Sequence, residues 1–308
     1  MTDTGSILVF GAAGIDTLAH AALEAKESVP GTIINSPGGV ACNIAINLAR
    51  LGVPSCLVSR IGDDDDSHRL VRALSDTGVD TRYLERVEDA STARYVAMLD
   101  ADGDLRMAVS SMNIIETLSP SRVLQMKSDL DTARAIVADT NLTSETLTTL
   151  LGTDVTALRC VDTVSAAKAV RVADSLEHVD ILKTTPVEAS ALTGIHARRI
   201  DALCDALLAR GVNCIYLSRG ADGLCVASSD GLVTLPAIRP DKLRSTSGAG
   251  DALMAGIVLG HLSGEDIVSA GELGLAAASL TLTSDTSTLT ALTRELLTQT
   301  RTQHAIGA

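Results

Sequence analysis

The sequence predicts a doubly wound α/β domain, a mostly parallel sheet flanked by helices, with a small β insertion. Three observations carry this. Short apolar runs that read as buried strands alternate with helical stretches along most of the 308 residues, and such an alternation packs as a parallel sheet covered on both faces. The last third is helical, at about 249–262, 266–282 and 288–300. Two separate segments, about 17–37 and 91–113, interrupt the alternation and read as the insertion. The length suits one domain spanning 1–308.

Taken in order, Ile7-Leu-Val-Phe10 is an apolar run stopped by Gly11 and reads as a buried strand. Residues 17–37 have no clear period and end in Asn35-Ser-Pro-Gly-Gly39, a turn cluster. From Val40 to Leu51, apolar residues at helical spacing (Ile44, Leu48, Leu51) predict a helix that Gly52 stops. Ser55 to Ile61 reads as a strand and Ser67 to Leu74 as a helix. Thr92 to Leu99, then Asp100-Ala-Asp-Gly103, then Leu105 to Val109 predict a hairpin whose turn signal is Asp-Gly. Beyond it, Ala135–Ala138, Ala157–Val161, Val179–Leu182 and Cys214–Leu217 are the candidate strands, with helical stretches between them.

Composition narrows the function. Hydrophobic residues at 46% and charged residues at 20% suit a soluble globular chain rather than a disordered one. With 25 Lys+Arg against 38 Asp+Glu the net charge is −13, so neither a nucleic-acid backbone nor an anionic membrane surface is an expected partner. A local pocket for one phosphorylated small molecule remains compatible with that charge. The only aromatic residues are Phe10, Tyr83, Tyr95 and Tyr216, too few for a base-stacking platform. The core must be built from Ala, Val, Leu and Ile. Six cysteines without CxxC spacing read as buried free thiols, and the scattered histidines do not suggest zinc. No apolar run is long enough to cross a bilayer, and Met1-Thr-Asp-Thr-Gly5 lacks the basic start of a signal peptide, so a cytoplasmic location is expected.

Two segments could carry chemistry. In Ser245-Thr-Ser-Gly-Ala-Gly-Asp251, Gly248, Ala249 and Gly250 free the backbone just before an apolar helix. Exposed N–H groups and the helix dipole favour an anion such as a phosphoryl group there. Asp251, in the first turn, can accept a proton from a hydroxyl beside that cradle. Such a pairing suits phosphoryl transfer to an alcohol, although the pattern alone is equally that of an ordinary helix start with an acidic residue. In Pro37-Gly-Gly-Val-Ala-Cys-Asn43, Gly38 and Gly39 allow close approach of a ligand, and Asn43 could bind a polyol; a glycine-rich helix start capped by Asn fits too. Gly11-Ala-Ala-Gly14 lacks the full dinucleotide fingerprint and reads as a turn.

Together the two segments resemble the ribokinase-like (PfkB) family of carbohydrate and nucleoside kinases, which carries a Gly-Gly…Asn motif near its N-terminus and Gly-Ala-Gly-Asp near its C-terminus. The resemblance implies a doubly wound domain with a β lid, ATP and a magnesium ion. Within the family, Pro37-Gly-Gly-Val40, Leu99-Asp100, Met112-Asn-Ile114, Ile136-Val-Ala-Asp-Thr-Asn141 and Asp162-Thr-Val-Ser165 with Lys168 are similar to the pseudouridine-kinase group. Carried over by that resemblance, Asp16, Gly38, Gly39, Asn43, Asn113, Asn141 and Lys168 would face the acceptor, with Asp251 as the base. Lys183, Thr185, Ser218, Gly220 and Gly223 would hold the nucleotide, and Glu188 would help organise the magnesium shell, through water.

Some residues depart from the family pattern. Thr184-Thr185 replaces Pro-Asn, Thr163 replaces a proline usual after Asp162, and Asp65-Asp-Ser67 reads as a solvated helix start. Ser245 stands where many relatives carry an Asp linked to monovalent-cation binding, which predicts weak or absent potassium stimulation. The expected activity is ATP-dependent phosphorylation of the 5′-hydroxyl of pseudouridine. The alternatives are the same chemistry on ribose, adenosine or 2-keto-3-deoxygluconate, or a non-catalytic sugar or nucleotide sensor. A homodimer paired through the lid is the partner the resemblance suggests.

Overall fold

The computed structural model describes residues 5–22, 28–100, 105–196 and 199–307. Along these the strands are β1 (Ile7–Phe10), β2 (Gly14–Ala21), β3 (Gly31–Gly38), β4 (Ser55–Gly62), β5 (Asp80–Val87), β6 (Ala93–Leu99), β7 (Leu105–Ser111), β8 (Ala135–Asp139), β9 (Leu158–Asp162), β10 (Ile181–Thr184), β11 (Cys214–Ser218), β12 (Leu224–Ser228) and β13 (Gly231–Leu235). A nine-stranded sheet runs in the order β13-β12-β11-β10-β9-β8-β1-β4-β5. Every pairing from β11 to β5 is parallel, and the antiparallel β12 and β13 finish one edge. This is the predicted doubly wound α/β fold.

The core divides as the pleat of β1 dictates. Ile7 and Val9 enter one apolar cluster, with the Val40–Arg50, Ala249–Leu262 and Ile267–Thr281 helices. Leu8 and Phe10 enter the other, beneath the Ser144–Leu151, Pro186–Thr193 and Ile200–Leu208 helices. Successive strand side chains point to opposite faces, so a strand buried on both reads as an unbroken apolar run. All six cysteines are free and buried.

From β1 the chain passes to β4 on one side, while β8 pairs on the other. Open α/β sheets bind ligands at such a reversal, outside the carboxyl ends of the strands. Gly11, Asp139, Asp162, Thr184 and Ser218 all lie at those ends. Over them sits a second sheet, β3-β2-β6-β7. Its cross-strand rows alternate. Asp16, Tyr95 and Ser110 share one face, whereas Ile33, Ala19, Met98 and Met107 lie across the other, beside Val96 and Val109. On that outer face Ile33 is 68% exposed and Met107 and Val109 are each 61% exposed.

Several elements differ from expectation. The turn cluster Asn35–Gly39 is strand through Gly38; Pro37 is tolerated because β3 is an edge strand and needs no N–H on its open side. The hairpin of β6 and β7 forms, with its Asp-Gly turn outside the described residues. The last helix runs Arg294–Gly307, not 288–300, because Ser284 and Thr286 hydroxyls donate to Thr288 O and fold that stretch into a loop. Strands β5, β12 and β13 have no counterpart in the sequence reading.

Candidate active site

The Ala249–Leu262 helix begins at Gly248, whose φ of +75° is the left-handed conformation that glycine accepts freely. A Cβ there would lie 1.8 Å from Ser287 O, so the helix start is pressed onto the 284–288 loop. Ser247 and Ser287 hydroxyls meet at 2.8 Å, and Ser287 Oγ donates to Asp16 Oδ2 at 3.0 Å. Asp16 on β2 is thereby fixed near Asp251. Gly38 keeps the space beside it open: a Cβ at that position would meet Asp16 Oδ1 at 2.0 Å.

Asp251 Oδ2 accepts from Asn43 Nδ2 at 2.8 Å, linking the first turns of the two helices that the sequence motifs predict. Burial pushes the Asp251 carboxyl up to about 7, with Asp162 adding to the rise and Lys183 and Asn43 opposing it. Burial likewise raises Asp16 to about 6 against the Ser287 hydrogen bond. Lys183 Nζ bonds Asp162 Oδ2 at 2.9 Å and lies beneath Gly250, where a Cβ would come 2.8 Å from it. Burial disfavours the Lys183 ammonium, yet Asp162 and Asp251 outweigh this and hold its pKa above the usual lysine range.

Two cavities flank this helix start. One, of about 590 Å³, is lined by Asp16, Gly39, Asn43, Asn113, Asn141, Lys168 and Asp251, together with Tyr95, Met112, Glu116, Val164 and Arg171. The other, of about 490 Å³, is lined by Ser218, Gly220, Gly223, Ala249 and Gly250 and walled by Leu253, Leu275, Ala278 and Leu282. Its apolar wall and glycine-rich rim fit a nucleotide whose phosphates reach the helix start. Gly38 lies under Asp16 rather than in a wall, and Lys183 is buried between the cavities.

Thr185 and Glu188 line neither cavity. They form a capping box on the Pro186–Thr193 helix, with Glu188 Oε2 accepting from Thr163 Oγ1 at 2.6 Å and from Thr185 N at 3.0 Å. No group of three His, Cys, Asp or Glu side chains suited to a metal ion occurs among the described residues. Both Glu188 bonds fall on Oε2 of the carboxylate that the family resemblance points toward magnesium.

Sequence reasoning missed Asp139. Its Oδ2 accepts from Ala12 N and Ala41 N, each at 2.9 Å, and its Oδ1 from Asn141 N at 2.8 Å and Asn141 Nδ2 at 2.9 Å. Four N–H donors on one buried carboxyl lock the β1 turn, the Val40–Arg50 helix start and Asn141 together. Asn141 Oδ1 in turn receives Lys168 Nζ at 2.5 Å, and Arg171 bridges Asn141 O to Glu116. The signal was available: an Asp ends an otherwise apolar strand two residues before the chosen Asn. Asp162 and Ser287 were missed as partners of Lys183 and Asp16.

Residues 5–294 match the pfkB family of carbohydrate kinases. A pseudouridine kinase of Escherichia coli is 30% identical over 290 residues, covering 92% of this chain and 93% of the relative. The ATP-dependent ribose-1-phosphate kinase of Halopiger xanaduensis is 29% identical over 252 residues, 80% of each chain. A solved Arabidopsis thaliana ribokinase, complexed with ribose and ATP, superposes with a TM-score of 0.82 at 20% identity over 97% of this chain and 99% of that one.

Proposed function

Because this chain belongs to the pfkB family of carbohydrate kinases, we propose that it transfers the γ-phosphoryl group of ATP to the 5′-hydroxyl of pseudouridine. One observation carries the reading. Gly250 and Asp251 are consecutive, yet the first lines the apolar cavity and the second the polar one. A phosphoryl donor in one and an alcohol in the other meet at a single peptide.

In this reading Asn43 holds one carboxylate oxygen of Asp251 and leaves Oδ1 for the acceptor hydroxyl. Even with its pKa raised to about 7, the Asp251 carboxylate is far too weak a base to hold a pre-formed alkoxide. Asp251 orients the hydroxyl and takes its proton late, as the new P–O bond acidifies the oxygen. The Gly248–Gly250 backbone and the Lys183 ammonium face the charge that develops on the transferred group. A bound magnesium ion supplies further neutralisation of the nucleotide phosphates. Asp16 and Asn43 take ribose hydroxyls, while Asn113, Asn141 and Lys168 recognise the base. The small sheet acts as a lid that excludes water over the acceptor.

Ser245 Oγ already accepts from Ser247 N, and Arg244 pairs with Asp285 at 3.0 Å in the same loop. Exchanging sodium for potassium at constant ionic strength should leave the rate unchanged within about twofold, because Ser245 brings no carboxylate charge to that loop. A second reading, a phosphorylated ribose as acceptor, draws on the cations Lys168 and Arg171 in the polar cavity. A kinase screen of pseudouridine, uridine, adenosine, ribose and ribose 1-phosphate, with mass-spectrometric detection of products, decides between them. Pseudouridine 5′-phosphate as the main product supports the proposal. Preference for ribose or its phosphate overturns it.

A further inference from the structure

Among the described residues, two non-glycine positions have positive φ: Asp89 and Val164. Aspartate visits the left-handed region with some ease, but a β-branched side chain at a φ of +58° is a true outlier. Nothing in the apolar core requires it, because Val164 is only half-buried and belongs to neither cluster.

Hydrogen bonds on either side over-determine the turn. Val164 N donates to Asp162 Oδ1 at 2.9 Å, Ser165 N to Thr163 O at 2.5 Å, and Thr140 Oγ1 to the same Thr163 O at 2.7 Å. The other oxygen of Asp162 holds Lys183, so one buried carboxyl fixes both the valine and the lysine beneath Gly250. Val164 also lines the polar cavity, next to Ser165 and close in sequence to Lys168. Most of its lining residues carry polar groups, and Val164 joins Ala12, Val40, Met112 and the Tyr95 ring in supplying its apolar surface. Backbone strain retained by surrounding bonds at a cavity wall signals a side chain kept for what it touches.

We propose that Val164 is a specificity-determining residue, held left-handed by Asp162 so that its isopropyl group packs against the ring of the acceptor. The inference rests on the kinase reading above and names the contact by which that site selects a ring-bearing acceptor.

The test compares Val164→Gly and Val164→Ala with wild type, using KM for ATP, KM for the acceptor that wild type turns over best among pseudouridine, uridine and ribose, and thermal midpoint. Glycine adopts this backbone without strain and loses the whole side chain. Its acceptor KM should rise roughly fivefold to tenfold, the worth of a valine contact, with KM for ATP unchanged and the midpoint equal or higher. Alanine keeps the strained Cβ and loses two methyl groups, so its KM should rise without a gain in midpoint. An unchanged acceptor KM in the glycine variant overturns the inference. So does a fall in midpoint with equal rises in both KM values, which marks the turn as a purely structural joint. If wild type prefers ribose, the pseudouridine reading falls, while the same KM comparison on ribose still decides the role of Val164.

Discussion

A carboxyl group with a pKa of about 7 makes opposite demands on activity and on stability. Asp251 must be ionised to accept a proton, so kcat/KM should climb with pH to about 7 and then level off. Folding runs the other way. Between the ordinary 3.8 and about 7 the folded chain holds a proton that the unfolded chain has released, so Asp251 makes folding less favourable as pH rises through that window. Asp251→Asn keeps the shape and removes the buried charge. Turnover should fall roughly 10²–10⁴-fold with ATP affinity little altered, read by single-turnover kinetics beside calorimetry. The ligand-free variant should melt a few degrees above wild type at about pH 8, and the gap should narrow as pH falls and close only near about pH 4. Wild-type turnover in the variant, or loss of ATP binding with it, removes Asp251 from the role of base.

At the scale of elements, the site depends on how closely β3 approaches β2. Gly38→Ala would drive a methyl group into the Asp16 carboxylate, whose pocket is closed from behind by Ser287. The acceptor KM should rise at least tenfold while KM for ATP holds, because the nucleotide cavity lies across the Ala249–Leu262 helix. Equal effects on both substrates would contradict the division of labour between the cavities.

The sequence made the two glycine motifs legible because each precedes a long helix with clear apolar content. It made β1, β8 and β11 legible as unbroken apolar runs. Strand β5 escaped because it is an edge, and its Asp80-Thr-Arg-Tyr-Leu-Glu-Arg-Val87 carries charges that only a neighbouring ladder holds extended. Strand β13 is exposed along most of its length and β3 along most of its first half, so no core face imposes a period on either; β2 buries Ile15 and Leu18, whose spacing is not that of an alternating strand. Asp162 and Ser287 act across more than twenty residues of chain each, and no local pattern records such a partnership.

For the whole molecule, the outer face of the small sheet gathers exposed apolar side chains across several strands. Ile33, Met98, Met107, Val96 and Val109 lie side by side across its strands, opposite the acceptor cavity. A second copy of the chain covering that face would bury these side chains and steady the lid. For a chain paired through this face, the substitutions Met107→Asp with Val109→Asp, both in exposed positions, should give a monomer in sedimentation and raise the acceptor KM. A monomeric wild type would rule out this arrangement.

The buried cysteines give the chain a clock. Burial pushes the thiols of Cys42, Cys56, Cys160 and Cys214 up, so the closed protein offers a labelling reagent neither access nor a ready thiolate. Modification must wait for an opening, and its rate counts openings. Cys42 lies on the helix that carries Asn43, within the electrostatic reach of Asp16 and Asp251. Its lag would lengthen when an acceptor fills the polar cavity, while thiols elsewhere in the sheet keep time for the rest of the fold. Peptide-level mass analysis of a labelling time course would then follow the breathing of the acceptor side with no added probe.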